Sequence, residues 1–200
     1  MHIERLILGD LQTNCYIVSQ HENSHRVILI DPADEAGRIL HHVNGRKIEG
    51  VFLTHGHFDH TGALHAFEGL PIYLHEEDAH FLSDAHYGTG GFPGIDYDAR
   101  PEATHLLRDG EEVHPEGFET PIQVLHTPGH TPGSCVYKMG DDLFTGDTLF
   151  CRGYGRCDLP GGDFATLVGS LRKLLNAETD ARVYPGHGSF TTLFQERGRS

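Results

Sequence analysis

The sequence has few cysteines, few positive charges and no long apolar run, and each shortage excludes a class of protein. The cysteines are Cys15, Cys135, Cys151 and Cys157, and none of them forms a Cys-x-x-Cys pair. Neither a dithiol redox motif nor a thiolate zinc site is therefore indicated. Four free thiols instead fit a reducing compartment, so the cytoplasm is the predicted location.

Positive charge is scarce. The 200 residues include 15 Lys and Arg against 29 Asp and Glu, which gives a formal net charge of −14 with neutral histidines. Nucleic-acid binding depends on clustered Lys and Arg, so we expect no nucleic-acid partner. No basic amphipathic helix or run of ~20 apolar residues suggests a membrane partner, and the N-terminus does not resemble a signal peptide.

Glycine and proline, by contrast, are abundant, with 25 and 10 residues, and they predict many tight turns and short elements. The length suits one domain that spans residues 1–200. Apolar runs predict strands that include 27–30, 48–53, 142–145 and 181–184, with a β-meander over 112–125. Periodicity predicts helices at 35–43, 61–67 and 163–175. We expect the last helix to bury an apolar face of Phe164, Leu167, Leu171, Leu174 and Leu175.

Segment 54–60 follows directly on strand 48–53 and is the most informative stretch of the chain. It contains three imidazoles and one carboxylate: His55, His57, Asp59 and His60. A spacing of two places His55 and His57 on the same side of an extended segment, so this is a loop at a strand end rather than a helix. A lone His-x-His would be weak evidence among 17 histidines, but the two following residues strengthen it.

Ligand-type residues also follow other predicted strands. His130 and His187 each stand after a Pro-Gly turn, and Asp147 follows strand 142–145. A layered α/β scaffold offers such strand ends for a functional site. These groups suffice for two metal ions, with His55, His57 and His130 in one set, Asp59, His60 and His187 in the other, and Asp147 as a bridge. Nitrogen and oxygen donors suit zinc, and also iron or manganese.

Residues 84–100 form a long stretch rich in glycine, aspartate and aromatics. A loop of this length is usually functional or mobile, so we predict a cover over the site, with a disordered spacer as the alternative. The preceding segment 76–82 is predicted as a short acidic helix. His75, just before this segment, and His80, within it, are expected to lie on the surface.

Segments 54–60, 128–133, 146–150 and 185–188 together resemble the metallo-β-lactamase superfamily. Within it they are similar to the short, single-domain members of the glyoxalase II branch, which are hydroxyacylglutathione hydrolases. The resemblance covers nearly the whole chain. It implies an α/β fold, a four-layer αββα sandwich, with a dinuclear site between the edges of the sheets.

Two departures from the longer glyoxalase II enzymes bear on the substrate. Only 13 residues follow His187, so we expect no C-terminal helical domain of the kind that helps those enzymes bind glutathione. Asp158 stands where they place an aromatic glutathione contact, and Arg156 stands where they place a basic one. Arg156 is therefore predicted to bind a substrate carboxylate.

The resemblance implies a hydrolase of thioesters such as S-lactoylglutathione. We expect two divalent ions, zinc first and iron or manganese as alternatives, with attack by a hydroxide that bridges them and that Asp59 orients. Two metals lower the pKa of a shared water toward ~7. A thiolate, with a reference pKa of about 8.5, leaves without strong acid help, whereas an amide nitrogen needs a proton donor. The partner is then a small thioester, and the protein is a monomer or small homo-oligomer.

Other functions compete with this one. A persulfide dioxygenase, with one iron bound by two His and an Asp, shares the histidine run and the Arg-Gly-x-Gly-Arg-x-Asp stretch at 152–158, but the 185–188 turn is of the glyoxalase type. A lactonase or nuclease is a second alternative, and the acidity disfavours the nuclease. A non-catalytic metal-binding module would need a closed site, which the long loop at 84–100 argues against.

Overall fold

The fold is described here from a computed structural model, for residues 1–197. A first six-stranded sheet contains β1 (His2–Leu8), β2 (Thr13–Ser19), β3 (Arg26–Ile30), β4 (Lys47–Phe52), β5 (Ile72–His75) and β6 (His105–Leu107). The strands lie in sequence order. Pairing is antiparallel from β1 to β3 and parallel from β3 to β6.

A second six-stranded sheet faces the first. It contains β7 (Glu112–Val113), β8 (Ile122–His126), β9 (Cys135–Met139), β10 (Asp142–Gly146), β11 (Arg182–Pro185) and β12 (Thr191–Thr192). Their order is β12-β11-β10-β9-β8-β7. All neighbours are antiparallel except β10 and β11, which are parallel. The region predicted as a β-meander, 112–125, contains two antiparallel neighbours, β7 and most of β8.

The α-helices are short apart from one. They are α1 (Ala36–Val43), α2 (Phe58–Thr61), α3 (Ala85–Gly88), α4 (Phe164–Leu175) and α5 (Leu193–Arg197). Two 3₁₀ helices span Leu64–Phe67 and Glu76–Leu82. The predicted helix at 61–67 is wrong, because α2 begins within the histidine run and ends at Thr61, and a separate 3₁₀ turn follows it. Asp59 and His60 therefore lie on a helical turn and not in the predicted loop.

A core rich in aromatic side chains fills the space between the sheets. Tyr16 and Phe52 from the first sheet meet Tyr137 and Phe144 from the second, and each is at most 1% exposed. Burying a side chain of this kind contributes roughly 1.5–3 kcal/mol. Strands β2 and β10 are buried along their whole length, because they are covered on both faces.

Helices cover the outer face of each sheet. Ile39 and Val43 of α1 pack on the first sheet, while Leu174 of α4 and Leu193 of α5 pack on the second. The layers are therefore helix, sheet, sheet and helix, and the predicted αββα sandwich is confirmed.

The predicted apolar face of α4 is partly wrong. Leu167 and Leu174 are buried, but Phe164 is 53% exposed and contacts the ring of Tyr154 instead of the sheet. Phe164 opens the helix directly after the capping residue Asp163, whose carboxylate accepts a hydrogen bond from Thr166 N at 2.7 Å. The apolar stripe meets the sheet only from the second turn onward.

No helix within residues 1–197 combines the length and the apolar character needed to cross a membrane. The four cysteines are free; Cys15 and Cys135 are buried, whereas Cys151 and Cys157 are partly exposed. Burial raises the pKa of Cys15 and Cys135 above the ordinary value of a thiol, which keeps both protonated.

Candidate metal centre

Strand ends from both sheets meet at one edge of the sandwich. The loop after β4 touches the second sheet directly, since Cys135 N donates to the Thr54 carbonyl at 2.9 Å. The loops after β10 and β11 also lie together, because these strands are parallel and Gly186 N donates to the Gly146 carbonyl at 2.8 Å. The loop between β8 and β9 completes the edge. The predicted ligand residues are thus neighbours in space.

His55, His57 and His130 form a cluster that we call the first half-site. His130 Nε2 lies 3.0 Å from His57 Nδ1 and 3.2 Å from His55 Nε2. These three residues are 1%, 4% and 2% exposed. On its other nitrogen, His130 Nδ1 donates to the Arg156 carbonyl at 2.6 Å, so its Nε2 lone pair points into the cluster.

Asp59, His60 and His187 form the second half-site. Asp59 Oδ2 lies 3.2 Å from His187 Nε2 and 3.5 Å from His60 Nε2. Outer hydrogen bonds fix the two rings, since His187 Nδ1 donates to the Leu11 carbonyl at 3.1 Å and His60 Nδ1 donates to Asp31 at 2.9 Å. Both Nε2 atoms are therefore available to a metal, which is the usual effect of an outer partner on a histidine ligand.

Asp147 lies between the half-sites. Its Oδ1 is 3.3 Å from His60 Nε2, and its Oδ2 is 3.6 Å from both His130 Nε2 and His187 Nε2. In three groups of side chains, the ligand atoms of each group lie within 4.8 Å of one another. The groups are His55, His57 and His130; His55, His60 and Asp147; and Asp59, His60 and His187. The seven side chains that the sequence singles out are thus brought together.

Contacts around the second half-site include two residues that the sequence analysis missed. Asp31 accepts hydrogen bonds from Thr54 N, Thr54 Oγ1 and His60 Nδ1, at 2.8, 2.7 and 2.9 Å. It has a backbone φ of 51°, a left-handed conformation that is uncommon outside glycine. Thr13 Oγ1 donates to Asp59 Oδ2 at 3.0 Å. Asp31 could have been found, because it directly follows the apolar strand β3, as the candidate ligands follow theirs.

The electrostatics separate the two half-sites. Burial, together with the neighbouring imidazoles, lowers the pKa of His55 well below its ordinary value, and burial lowers the pKa of His57 to about 3. Burial also acts against a charged His60, but Asp59, Asp147 and Asp31 outweigh it and raise the pKa of His60 well above its ordinary value. The surroundings therefore favour neutral His55 and His57 in the first half-site and a charged His60 in the second.

The donor set fits a pair of divalent metal ions. His60 Nε2 and Asp147 Oδ1 are buried, face each other and have no hydrogen-bond partner within residues 1–197. The raised pKa of His60 keeps a second proton on Nε2, opposite the carboxylate oxygen, and a cation bound between the two atoms would take the place of that proton. The turn before His187 has no room for a larger residue, since a Cβ on Gly186 would collide with Asp147 and His60.

A cavity of about 620 Å³ opens onto the cluster, and five of the seven side chains line it. Its apolar wall is formed by Leu11, Phe58, Phe92, Pro93, Ile95 and Leu159. Arg156 lies at this cavity, where its guanidinium makes two hydrogen bonds of 2.8 Å to Asp158 and lies 5.3 Å from the centre of the Phe92 ring. A separate cavity of about 510 Å³, between α4 and residues 149–154, contains none of the seven side chains.

The 84–100 loop forms one side of the larger cavity. Tyr97 and Arg100 anchor its second half, through hydrogen bonds to the backbone carbonyls of Phe81 and Leu82. Phe92 and its neighbours line the cavity. The loop is therefore a wall of the site, and its role as a cover stays a prediction.

The expectation that His75 lies on the surface is wrong. His75 is 3% exposed, and its ring stacks on that of His126 at 3.9 Å between centroids and 12° between planes. The partner ring belongs to the other sheet, which explains why the local sequence did not reveal the burial. His80, by contrast, is exposed.

The chain belongs to the metallo-beta-lactamase superfamily, whose sequence model matches residues 8–187. Hydroxyacylglutathione hydrolase GloC of Haemophilus influenzae is 36% identical over 208 residues, covering 98% of this chain and 95% of that protein. The crystal structure of BLEG-1, a B3 metallo-beta-lactamase, is 33% identical with a TM-score of 0.89, over 98% of this chain and 97% of its own. TTHA1623 in a di-iron-bound form is 36% identical with a TM-score of 0.84, over 98% of each chain.

Proposed function

We propose that this protein is a metal-dependent thioester hydrolase of the glyoxalase II type, with S-lactoylglutathione or a close relative as its substrate. The observation that carries the proposal is the pair of half-sites, joined by Asp147, at the base of a 620 Å³ cavity. The similarity to GloC, a hydroxyacylglutathione hydrolase, supports this substrate class.

The reaction breaks the C–S bond of the thioester, forms a C–O bond to the oxygen of water, and transfers a proton of that water to the departing thiolate. Two divalent ions, when bound, would polarise the carbonyl and lower the pKa of water toward ~7. Asp59 would accept a hydrogen bond from the attacking water and orient it. The Thr13 hydroxyl fixes this carboxylate, because it donates to the Oδ2 atom at 3.0 Å.

The cavity suits a leaving group that needs no acid. Apart from the candidate metal ligands, the polar side chains that line it are Thr89 and Arg156, and neither is an effective proton donor at neutral pH. A thiolate with a reference pKa of about 8.5 departs unaided, whereas an amine does not. This favours thioesters over β-lactams, although BLEG-1 is a metallo-beta-lactamase.

The metal, the cellular location and the oligomeric state are also proposals. Zinc suits the nitrogen and oxygen donors, and the di-iron form of TTHA1623 supports iron as the alternative. The free cysteines suit the cytoplasm. A small thioester is the proposed partner, for a monomer or small homo-oligomer.

The decisive experiment combines elemental analysis of the purified protein with a substrate panel. We expect two metal ions per chain, hydrolysis of S-lactoylglutathione, loss of hydrolysis after chelation and recovery when metal is restored. Equal hydrolysis by the chelated protein would exclude the mechanism. A β-lactam in the panel tests the activity for which BLEG-1 is named.

The persulfide dioxygenase remains the alternative from a different reaction class. The resemblance implies a single iron bound by two His and an Asp for that family, and the present cluster offers donors for a second ion as well. Oxygen consumption with glutathione persulfide, in the absence of thioester hydrolysis, would replace our proposal with this one.

Arg156 is the proposed contact for a substrate carboxylate. Its present partner Asp158 forms an exposed ion pair, which is weak enough for a substrate to displace. The Arg156→Gln variant should raise KM for S-lactoylglutathione several-fold with little change in kcat. Arg152→Gln is the matched control, since Arg152 lines the separate cavity. An unchanged KM in Arg156→Gln would remove this role.

A further inference from the structure

We propose that Asp78 is a positioning residue that sets the spacing of the imidazoles in the first half-site. Asp78 lies in the 3₁₀ helix Glu76–Leu82 and is 0% exposed. A carboxylate so deeply buried is unusual and requires a full set of hydrogen-bond partners. The inference rests on the metal centre of the proposed function.

The carboxylate of Asp78 joins the two loops that supply the first half-site. Its Oδ2 accepts from Gly56 N at 3.0 Å and from Thr131 Oγ1 at 2.8 Å, and its Oδ1 accepts from Gly133 N at 2.6 Å. Gly56 stands between His55 and His57, and Thr131 follows His130. One side chain therefore connects the loop of the first sheet to the loop of the second, directly beside all three imidazoles.

Packing makes the same connection. A Cβ on Gly133 would collide with the backbone and side chain of Asp78, and a Cβ on Gly56 would collide with the side chain of Phe81 on the same 3₁₀ helix. Both ligand loops thus approach this helix as closely as a backbone can. The 3.0 Å separation of His57 Nδ1 and His130 Nε2 depends on where these loops are fixed.

A carboxylate performs this task better than an amide. Three donors converge on Asp78, which requires acceptors on both of its oxygens, whereas an asparagine offers one acceptor and directs its amino group at the remaining donor. Burial raises the pKa of Asp78, while the hydrogen bonds from Thr131, Gly133 and Gly56 oppose that rise. Asp78 does not line the cavity, and its hydrogen bonds are to the two loops rather than to the imidazoles, so it acts through the loops.

The test measures stepwise metal binding to Asp78→Asn by competition with a chromophoric chelator. We expect one ion to bind 10- to 100-fold more weakly, as for other outer-shell changes, and the other ion to change less than threefold. Proton NMR of the Co²⁺-loaded protein identifies the ion affected. The shifted Nδ1–H resonance of His130 reports on the first half-site, and that of His60 reports on the second.

Asp84→Asn is the matched control, because Asp84 accepts a backbone hydrogen bond from His86 N on the same stretch of chain without touching a ligand loop. It should bind both ions as the unaltered protein does. Thr131→Val removes one of the three hydrogen bonds and should weaken the same ion about fivefold. If Asp78→Asn does not fold, the metal affinity of Thr131→Val tests the inference in its place.

Equal weakening of both ions, or a lower melting temperature with unchanged metal affinity, would show that Asp78 is merely structural. Unaltered binding in both variants would overturn the inference and leave the proposed function intact. If the unaltered protein binds no metal at all, both proposals are wrong.

Discussion

The two half-sites differ in how the protein holds their ligands. The first consists of three buried imidazoles whose loops are fixed through backbone N–H groups, two of them bonded to Asp78. The second contains a carboxylate, and two of its three ligands are fixed by other side chains, with Asp31 bonded to His60 and Thr13 bonded to Asp59.

Two of the three ligands in the second half-site are also more exposed than those of the first, although His60 is fully buried. The side chain of His187 is 26% exposed and that of Asp59 is 13% exposed, whereas His130 is nearly covered at 3%. A backbone framework changes little when the metal ion dissociates, while a network of side chains can relax toward solvent. We infer that the first half-site is preformed and that the second half-site exchanges its ion more readily.

The largest expected effect comes from removing a ligand of the first half-site. His57→Ala should lose the ion of this half-site and reduce kcat/KM by at least about a thousandfold, which corresponds to ~4 kcal/mol of transition-state stabilisation. His187→Ala, the counterpart in the second half-site, should keep the first ion and lose less activity. Metal content and steady-state kinetics check both, and a greater loss from His187→Ala would reverse the comparison.

Asp31→Asn tests the side-chain network of the second half-site. One amide oxygen cannot accept from Thr54 N, Thr54 Oγ1 and His60 Nδ1 together, so the His60 ring loses its fixed orientation. We expect the second ion to bind 10- to 100-fold more weakly, and to be affected more than the first. Stepwise metal titration measures this, and a selective loss of the first ion would contradict it.

Thr13→Val should have a smaller effect on the same half-site. The variant removes the hydrogen bond to Asp59 Oδ2 and retains the shape of the side chain. One lost hydrogen bond is worth roughly 1 kcal/mol, or about fivefold in affinity for the second ion. Ser19→Ala, on the same strand and bonded to the His21 carbonyl, is the control and should bind both ions normally.

The smallest effect concerns the support beneath the first half-site. His126 stacks on His75 and its Nε2 donates to the Pro132 carbonyl at 2.8 Å, within the loop that carries His130. Burial, together with His126, lowers the pKa of His75. Below the ordinary histidine pKa of about 6.5 the unfolded chain therefore binds more protons than the folded one, and the free energy of unfolding falls as the pH drops.

His75→Gln removes the imidazole whose protonation in the unfolded chain lowers the free energy of unfolding at acid pH. The free energy of unfolding of the metal-free variant should fall less between pH 7 and pH 5 than that of the unaltered protein, as measured by urea denaturation. His80→Gln, at an exposed position nearby, should leave the difference unchanged. The same pH dependence in His75→Gln as in the unaltered protein would exclude His75 as its source.

Local patterns in the sequence predict the ligands well and their supports badly. His55 to His60, His130, Asp147 and His187 all follow strand ends, so a rule about the nearest strand finds them. Asp78 and Gly133 are 55 residues apart and their contact has no local signature. The same limit explains why His75 was expected on the surface, since the ring that covers it belongs to the other sheet.

Helix boundaries show a second limit. The spacing of apolar residues at 61–67 suggests one helix. In the structure, Phe58–Thr61 form a separate turn, α2, that directs Asp59 and His60 toward the cluster, and a 3₁₀ helix follows. At Phe164 the periodicity is right, and the residue is exposed because it opens the helix beyond the packed region. Site geometry and tertiary packing override local periodicity in both cases.

The most direct test of the account is an anomalous diffraction map of crystals grown from metal-loaded protein. We predict two peaks, one within bonding distance of His55, His57 and His130, the other within bonding distance of Asp59, His60 and His187, and both near Asp147. Brief soaking in a chelator should reduce the second peak first. A single peak, or one that lies away from these residues, would contradict the account.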